Sequence, residues 1–403
     1  MAPVTSFFRK TPVPSLKAYF ATKPFTLPAT LSWTGSDGDV VETLIAAMDT
    51  FLEADREALI LEINRVIALA DEPGQNALLS VVSNRVVFDT VAGGHNRALW
   101  VLMNEPVNFQ LAEDVRYNDE KRRGRMWQGF VVEKHKLVRK DQFSRDAFTA
   151  EIQKKFNTSN VHVDVFDRHR VTLDRASHQL VQVAVYREGR PDDALGFDAA
   201  GKLQRHLVKP VFEASLTYEP GEGVIEVVAG DKDIRVAMAS MMGRTLMDIE
   251  FKGEILPARE YDLSVLMAPF DFPTDPRAPA DQVIERVQVR ELRFQPLDLT
   301  GQRVTLECDG SGGETIWDMA DRHIGPAAQR RDDWSITRAR LIVKLAPQGK
   351  SRRSRSLNLT ITVPHGCNLK GMTPAEQLVG EKYLRDWGIL KGKLEVIDGA
   401  DST

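Results

Sequence analysis

Two cysteines, Cys308 and Cys367, are all that this chain of 403 residues contains. One disulfide is the most they can form, so a disulfide framework is excluded. A zinc site of four cysteine thiolates is excluded by count, although a mixed cysteine and histidine site is not. So few cysteines read as reduced thiols of a cytoplasmic protein. Long apolar runs are also missing. None approaches the ~20 residues that a bilayer-spanning helix needs, and no membrane association is expected. Acidic residues are absent from the first 36 positions, whereas Arg9, Lys10, Lys17 and Lys23 are basic. That bias is one mark of an organelle transit peptide. Pro3, Pro12, Pro14, Pro24 and Pro28 argue against the amphipathic helix such a peptide needs. An extended N-terminal arm over residues 1–36 is the expectation.

The motifs of the common catalytic sites are missing too. Gly349-Lys350-Ser351 resembles the end of a phosphate-binding loop, but the first glycine of that loop would fall at Lys344. A lysine there cannot supply the backbone cradle. Ser311, within Asp309-Gly310-Ser311-Gly312-Gly313, lacks the spacing of a nucleophile elbow and reads as a surface turn. His162, Asp164, Asp167 and His169 are the densest set of possible metal ligands. They match no established zinc spacing, and Arg168 and Arg170 beside them oppose a cation. No cofactor and no metal are expected.

What is present is an ordinary globular composition, 42% hydrophobic and 27% charged, which excludes a disordered or fibrous chain. The net charge is -4, so attraction to nucleic acid requires a local basic patch. Arginine outnumbers lysine by 34 to 19, the usage of a GC-rich bacterial gene. The length calls for two or three domains at roughly 100–200 residues each.

Helical periodicity starts with Val40, Leu44, Ile45 and Met48, behind Ser36 or Asp37 as cap. It persists to about residue 155. From Asn157 the period falls to two, as in Val161-His162-Val163-Asp164-Val165 and in Leu180–Tyr186. A hairpin is expected around Pro220-Gly221-Glu222-Gly223, then a helix over 231–247 and an extended piece over 248–251. Four prolines within 269–281 mark a linker. Strands are expected near 287–294, 303–308, 338–345 and 357–363. Thr373-Pro374-Ala375-Glu376 opens a final helix with a capping box. The fold class is therefore α+β: an arm (1–36), a mainly helical region (37–155), an α+β region (156–268), a linker (269–281), and a β-rich region with a C-terminal helix (282–403).

Two arginine clusters carry the functional expectation. Lys121, Arg122, Arg123 and Arg125 lie beside Trp127, and Lys350, Arg352, Arg353 and Arg355 lie between two predicted strands. Clustered cations neutralise phosphates and a nearby aromatic stacks on bases. The expected role is a non-catalytic component of an assembly that contacts nucleic acid. An alternative is a metal-dependent hydrolase, most plausibly a nuclease, using Asp233, Glu250 and Lys252, with Glu250 and Lys252 on one face of a strand. A third is a protein-interaction scaffold. Phe7, Phe8, Leu16, Tyr19 and Phe20 are candidate partner-binding or self-association residues of the arm. Val13–Phe20 resembles the sliding-clamp-binding peptide in placing Leu16 three positions before Tyr19-Phe20, with Val13 where that motif has Gln.

Overall fold

The computed structural model describes residues 2–24, 27, 31–122, 124, 126–171, 177–198, 200–257, 259–275, 277, 282–298, 301–310, 313–347 and 355–391. The fold is α+β, with strands in three antiparallel sheets. Contacts divide the chain into two compact units, one of residues 1–171 and 176–256 and one largely of residues 257–403. No described helix is long and apolar enough to cross a membrane.

The first unit begins with helices α1 (Ala2–Lys10) and α2 (Val13–Ala21). The expectation of an extended arm is corrected here. Pro12 and Pro14 sit at the start of α2, where the missing N–H costs nothing, so they delimit helices. Phe7, Phe8, Leu16, Tyr19 and Phe20 are all buried in the core of this unit. Their rings form a chain in which Phe8 meets Phe20 at 6.3 Å and Phe20 meets Phe51 at 6.5 Å. The side chains expected to wait for a partner are occupied within the fold.

Helices α3 (Asp37–Ala47), α4 (Glu53–Ala68), α5 (Glu72–Val81), α6 (Arg85–Thr90), α7 (Gly94–Asn104) and α8 (Pro106–Lys121) complete this layer. Ser36, rather than Asp37, caps α3 in a capping box with Asp39. Gly94 is required by close packing, because a Cβ there would lie 2.2 Å from the Ala70 carbonyl oxygen.

Strands β1 (Trp127–Val131), β2 (Val161–Val171) and β3 (Ser177–Glu188) enter a five-stranded sheet with two later strands. Helix α9 (Gln142–Phe156) lies between β1 and β2. A separate two-stranded hairpin, β4 (Asp192–Phe197) and β5 (Leu203–Val208), follows β3. Then β6 (Val211–Glu219) and β7 (Val224–Val228) form the expected hairpin. The sheet order is β1-β7-β6-β3-β2. One face is apolar and packs with α9 and with α10 (Lys232–Met242), which runs on into a π-helical turn, Gly243–Met247. The other face meets α5 and α8.

The second unit holds the sheet β12-β11-β10-β8-β9. Its elements are β8 (Ile284–Pro296), β9 (Val304–Glu307), α11 (Ile316–His323), α12 (Ala327–Asp333), β10 (Trp334–Leu345), β11 (Arg355–Thr362), β12 (Gly366–Cys367) and α13 (Pro374–Asp386). Leu341, Val343, Leu357 and Leu359 point from the centre of the sheet into the core. Thr373 and Glu376 form the capping box of α13. Trp387, just past that helix, donates from Nε1 to the Pro273 carbonyl at 2.9 Å.

The proline-rich segment is not where the compact units divide. Phe272 is buried and packs edge-on against Trp387 at 4.9 Å, and Asp275 pairs with Lys382 at 2.6 Å. Phe272, Pro273 and Asp275 thus lie against α13 and Trp387; residues 276 and 278–281 lie outside the described residues.

Candidate functional site

Of the first arginine cluster, Arg122 meets a carboxylate remote in sequence, and several basic side chains flanking the cluster are also paired. Arg122, the residue after α8, pairs with the buried Glu226 of β7. Arg116 takes both oxygens of Asp71, at 2.5 and 2.9 Å. Arg139 pairs with Asp248 at 3.0 Å, Lys136 with Glu133 at 2.6 Å, and Lys140 with Asp167. Lys121 stands 5.9 Å from the Tyr117 ring centroid. Trp127 opens β1 and is half-buried. Arg123 and Arg125 lie outside the described residues, as do Lys350, Arg352 and Arg353 of the second cluster. Arg355 opens β11.

The Glu250-x-Lys252 pair is not on a strand. Asp248 adopts a left-handed conformation, φ 55°, that ends the π-helical turn, and residues 250–252 follow as irregular backbone. The expectation that a strand pleat puts Glu250 and Lys252 on one face is therefore corrected. Asp233 lies in the first turn of α10, behind its cap Asp231, and is exposed. Among the described residues no group of three or more His, Cys, Asp or Glu side chains could hold a metal ion. His162 bonds Asp164 at 2.9 Å, and the buried Arg168 makes a bidentate pair with Asp119 at 2.9 and 3.0 Å.

Pairing in the second sheet builds a different basic surface. The register sets Arg338 beside Arg293, Arg340 beside Glu291, and Lys344 beside Arg286. Strand neighbours share a face, so all six lie on the face opposite the apolar core. On β11 the same face continues through Ser356, Asn358, Thr360 and Thr362. Glu291 is 4% exposed and takes three guanidinium groups: Arg338 at 3.2 Å, Arg340 at 3.8 Å and Arg293 at 3.9 Å. Arg340 also stands 3.8 Å from Glu307 of β9. Five cations thus share the face with two carboxylates. One buried carboxylate orders three arginines and neutralises only one, leaving fixed positive charge over this face of the sheet. Such a surface attracts oxyanions, and the planar guanidinium suits their geometry.

Period-two alternation is the signal that exposes this face in the sequence. Arg338, Arg340 and Lys344 alternate with Ala339, Leu341, Val343 and Leu345. Their summation with Arg286 and Arg293 depends on strand pairing, which local spacing does not reveal.

A second polar layer lies in the first unit, between α8 and the sheet. Asp114 is buried and accepts from the Tyr186 hydroxyl, while Gln182 donates to the Asp114 carbonyl at 3.0 Å. Burial pushes the Asp114 carboxyl up to about 6, with the Tyr186 hydrogen bond opposing the shift. Glu213, cross-strand from Tyr186, is pushed up to about 7 by burial and by the charge of Asp114. Tyr186 is raised by burial and by Asp114.

No protein-family model matches the chain, and no curated protein matches it.

Proposed function

We propose that this chain is a non-catalytic component of an assembly and that it holds nucleic acid against the open face of the second sheet. The observation that carries this reading is the excess of arginine and lysine around the single buried carboxylate of Glu291. In this reading the sugar–phosphate backbone runs over Arg293, Arg338 and Arg340. Lys344 and Arg286 extend the contact towards the β10–β11 connection, whose sequence adds Lys350, Arg352 and Arg353. Phosphate contacts of this kind position a strand without reading its sequence. A bacterial, cytoplasmic setting belongs to the same proposal, supported by arginine usage and two free cysteines.

The test is binding of the purified chain to single-stranded and duplex oligonucleotides across a salt series. Each phosphate neutralised contributes about 0.9 to the salt slope on duplex and about 0.7 on single strands. Arg338→Ala with Arg340→Ala is expected to weaken binding and flatten the slope by about 1 to 2. Absence of salt-dependent binding by the unmodified chain overturns the proposal.

A further inference from the structure

The strands of the second sheet contain two aromatic residues, Phe294 and Trp334, and both pack with the apolar core. The outward face holds none. Short polar groups stand around its cations instead. Thr360 and Thr362 of β11 lie beside Arg340 and Arg338, and Thr305 of β9 lies beside Arg293. Arg338 and Lys344 are six positions apart on β10, so the basic stripe is about 20 Å long at the rise of an extended strand. Across the stripe, β11, β10, β8 and β9 are neighbours in the sheet. At about 4.8 Å between strands their axes span roughly 14 Å.

Resting on the function proposed above, we infer that the nucleic acid held on this face is double-stranded and is contacted along its backbone without regard to sequence. Stacking favours a duplex. Proteins that hold single strands place aromatic rings against unpaired bases, and each stacked base strengthens binding roughly fivefold or more. This face has no ring to offer, and a duplex, whose bases already stack on one another, asks for none. Charge favours a duplex too. Over about 20 Å a duplex presents about twelve phosphates, and one of its strands about six. The cations are also fixed in place, because Glu291 holds Arg293, Arg338 and Arg340. A fixed array suits a stiff phosphate lattice, whereas a flexible strand must be ordered as it binds. Width decides the mode of contact. The major groove is about 12 Å wide and admits a helix or a two-stranded ribbon. Four strands are too broad to enter it, so base edges stay out of reach and the backbone takes the contact.

The experiment is a competition on the full chain. A fluorescein-labelled DNA duplex of about 20 base pairs, roughly three times the length of the stripe, is displaced by the same duplex unlabelled or by either of its strands alone. The sequence is chosen to lack pairing within a strand. The expected result at ~0.15 M salt is duplex binding about tenfold tighter than binding of either strand. A second duplex of unrelated sequence is expected to agree with the first within about threefold. Arg286→Glu with Lys344→Glu reverses charge at two exposed positions, at the end of the stripe away from Arg338. This variant leaves the guanidinium groups on Glu291 intact and is expected to weaken duplex binding at least about tenfold. Circular dichroism verifies folding. A single strand bound as tightly as the duplex overturns the inference, as does a strong preference between the two duplexes. Salt-dependent binding in those cases leaves the proposed function standing. Duplex affinity unmoved in the folded variant also overturns the inference, by taking the contact off this face. No salt-dependent binding to either form overturns both readings.

Discussion

The Tyr186 hydroxyl of β3 donates to the Asp114 carboxylate of α8, joining the helical layer to the sheet through a buried acid. Its consequence for stability follows from the sign of the shift. The folded-state value, about 6, lies above the ordinary 3.8. Below pH 3.8 the carboxyl is protonated in both states and contributes nothing. Between 3.8 and about 6 the unfolded chain releases the proton first, so the folded state loses stability as pH rises. The full cost, on the order of 2–3 kcal/mol, applies above pH 6. Asp114→Asn keeps an acceptor for Tyr186 and removes the charge. It is expected to stabilise the chain by about 1–3 kcal/mol at pH 8 and to change little at pH 3.5. Urea titrations at the two pH values check this; equal effects at both would discard the account.

Phe8 is fully buried between Phe7 and Phe20. Phe8→Ala is expected to destabilise the chain by about 3–5 kcal/mol, the range for an aromatic deleted from a core. A partner-binding arm gives the opposite result, unchanged stability with lost association. Thermal denaturation separates the two.

Glu291 provides a sign test for the basic sheet face. Glu291→Gln preserves shape and removes a negative charge surrounded by three guanidinium groups. Oligonucleotide affinity is expected to rise severalfold at low salt, with the gain shrinking as salt screens it. Fluorescence anisotropy at two salt concentrations measures both.

Thr373 closes the capping box of α13 by accepting from the Glu376 N–H at 3.3 Å. Thr373→Ala is expected to cost about 1 kcal/mol. The loss should appear in chemical denaturation as a lower midpoint with an unchanged slope.

Arg330 has no exposed surface and donates to the carbonyls of Met267 and Gly325 and to Asp321. Arg330→Ala strands the buried Met267 carbonyl oxygen and the half-buried Gly325 carbonyl oxygen as well as opening space. At about 1.5–3 kcal/mol for a bond to a charged group, a loss of at least 3 kcal/mol is expected by calorimetry.

Local chemistry determined much of this protein from sequence alone. The Ser36 and Thr373 caps, the Pro220–Gly223 turn and the change of period near Asn157 are written in neighbouring residues, and each reappears in the fold. The pleat determines which side of β10 carries Arg338 and Arg340. The β4–β5 ribbon was illegible because Asp192, Asp193 and Gly196 dilute its alternation. Only the tertiary structure decided what the charges and aromatics do. Arg122 meets Glu226 across 104 positions, Phe20 meets Phe51 inside a core, and Arg338 and Arg340 reach Glu291 of β8 through strand pairing. Charge neutralisation and burial depend on distance in space, and a one-dimensional pattern fixes that distance only over the few residues of a helical turn or a strand repeat.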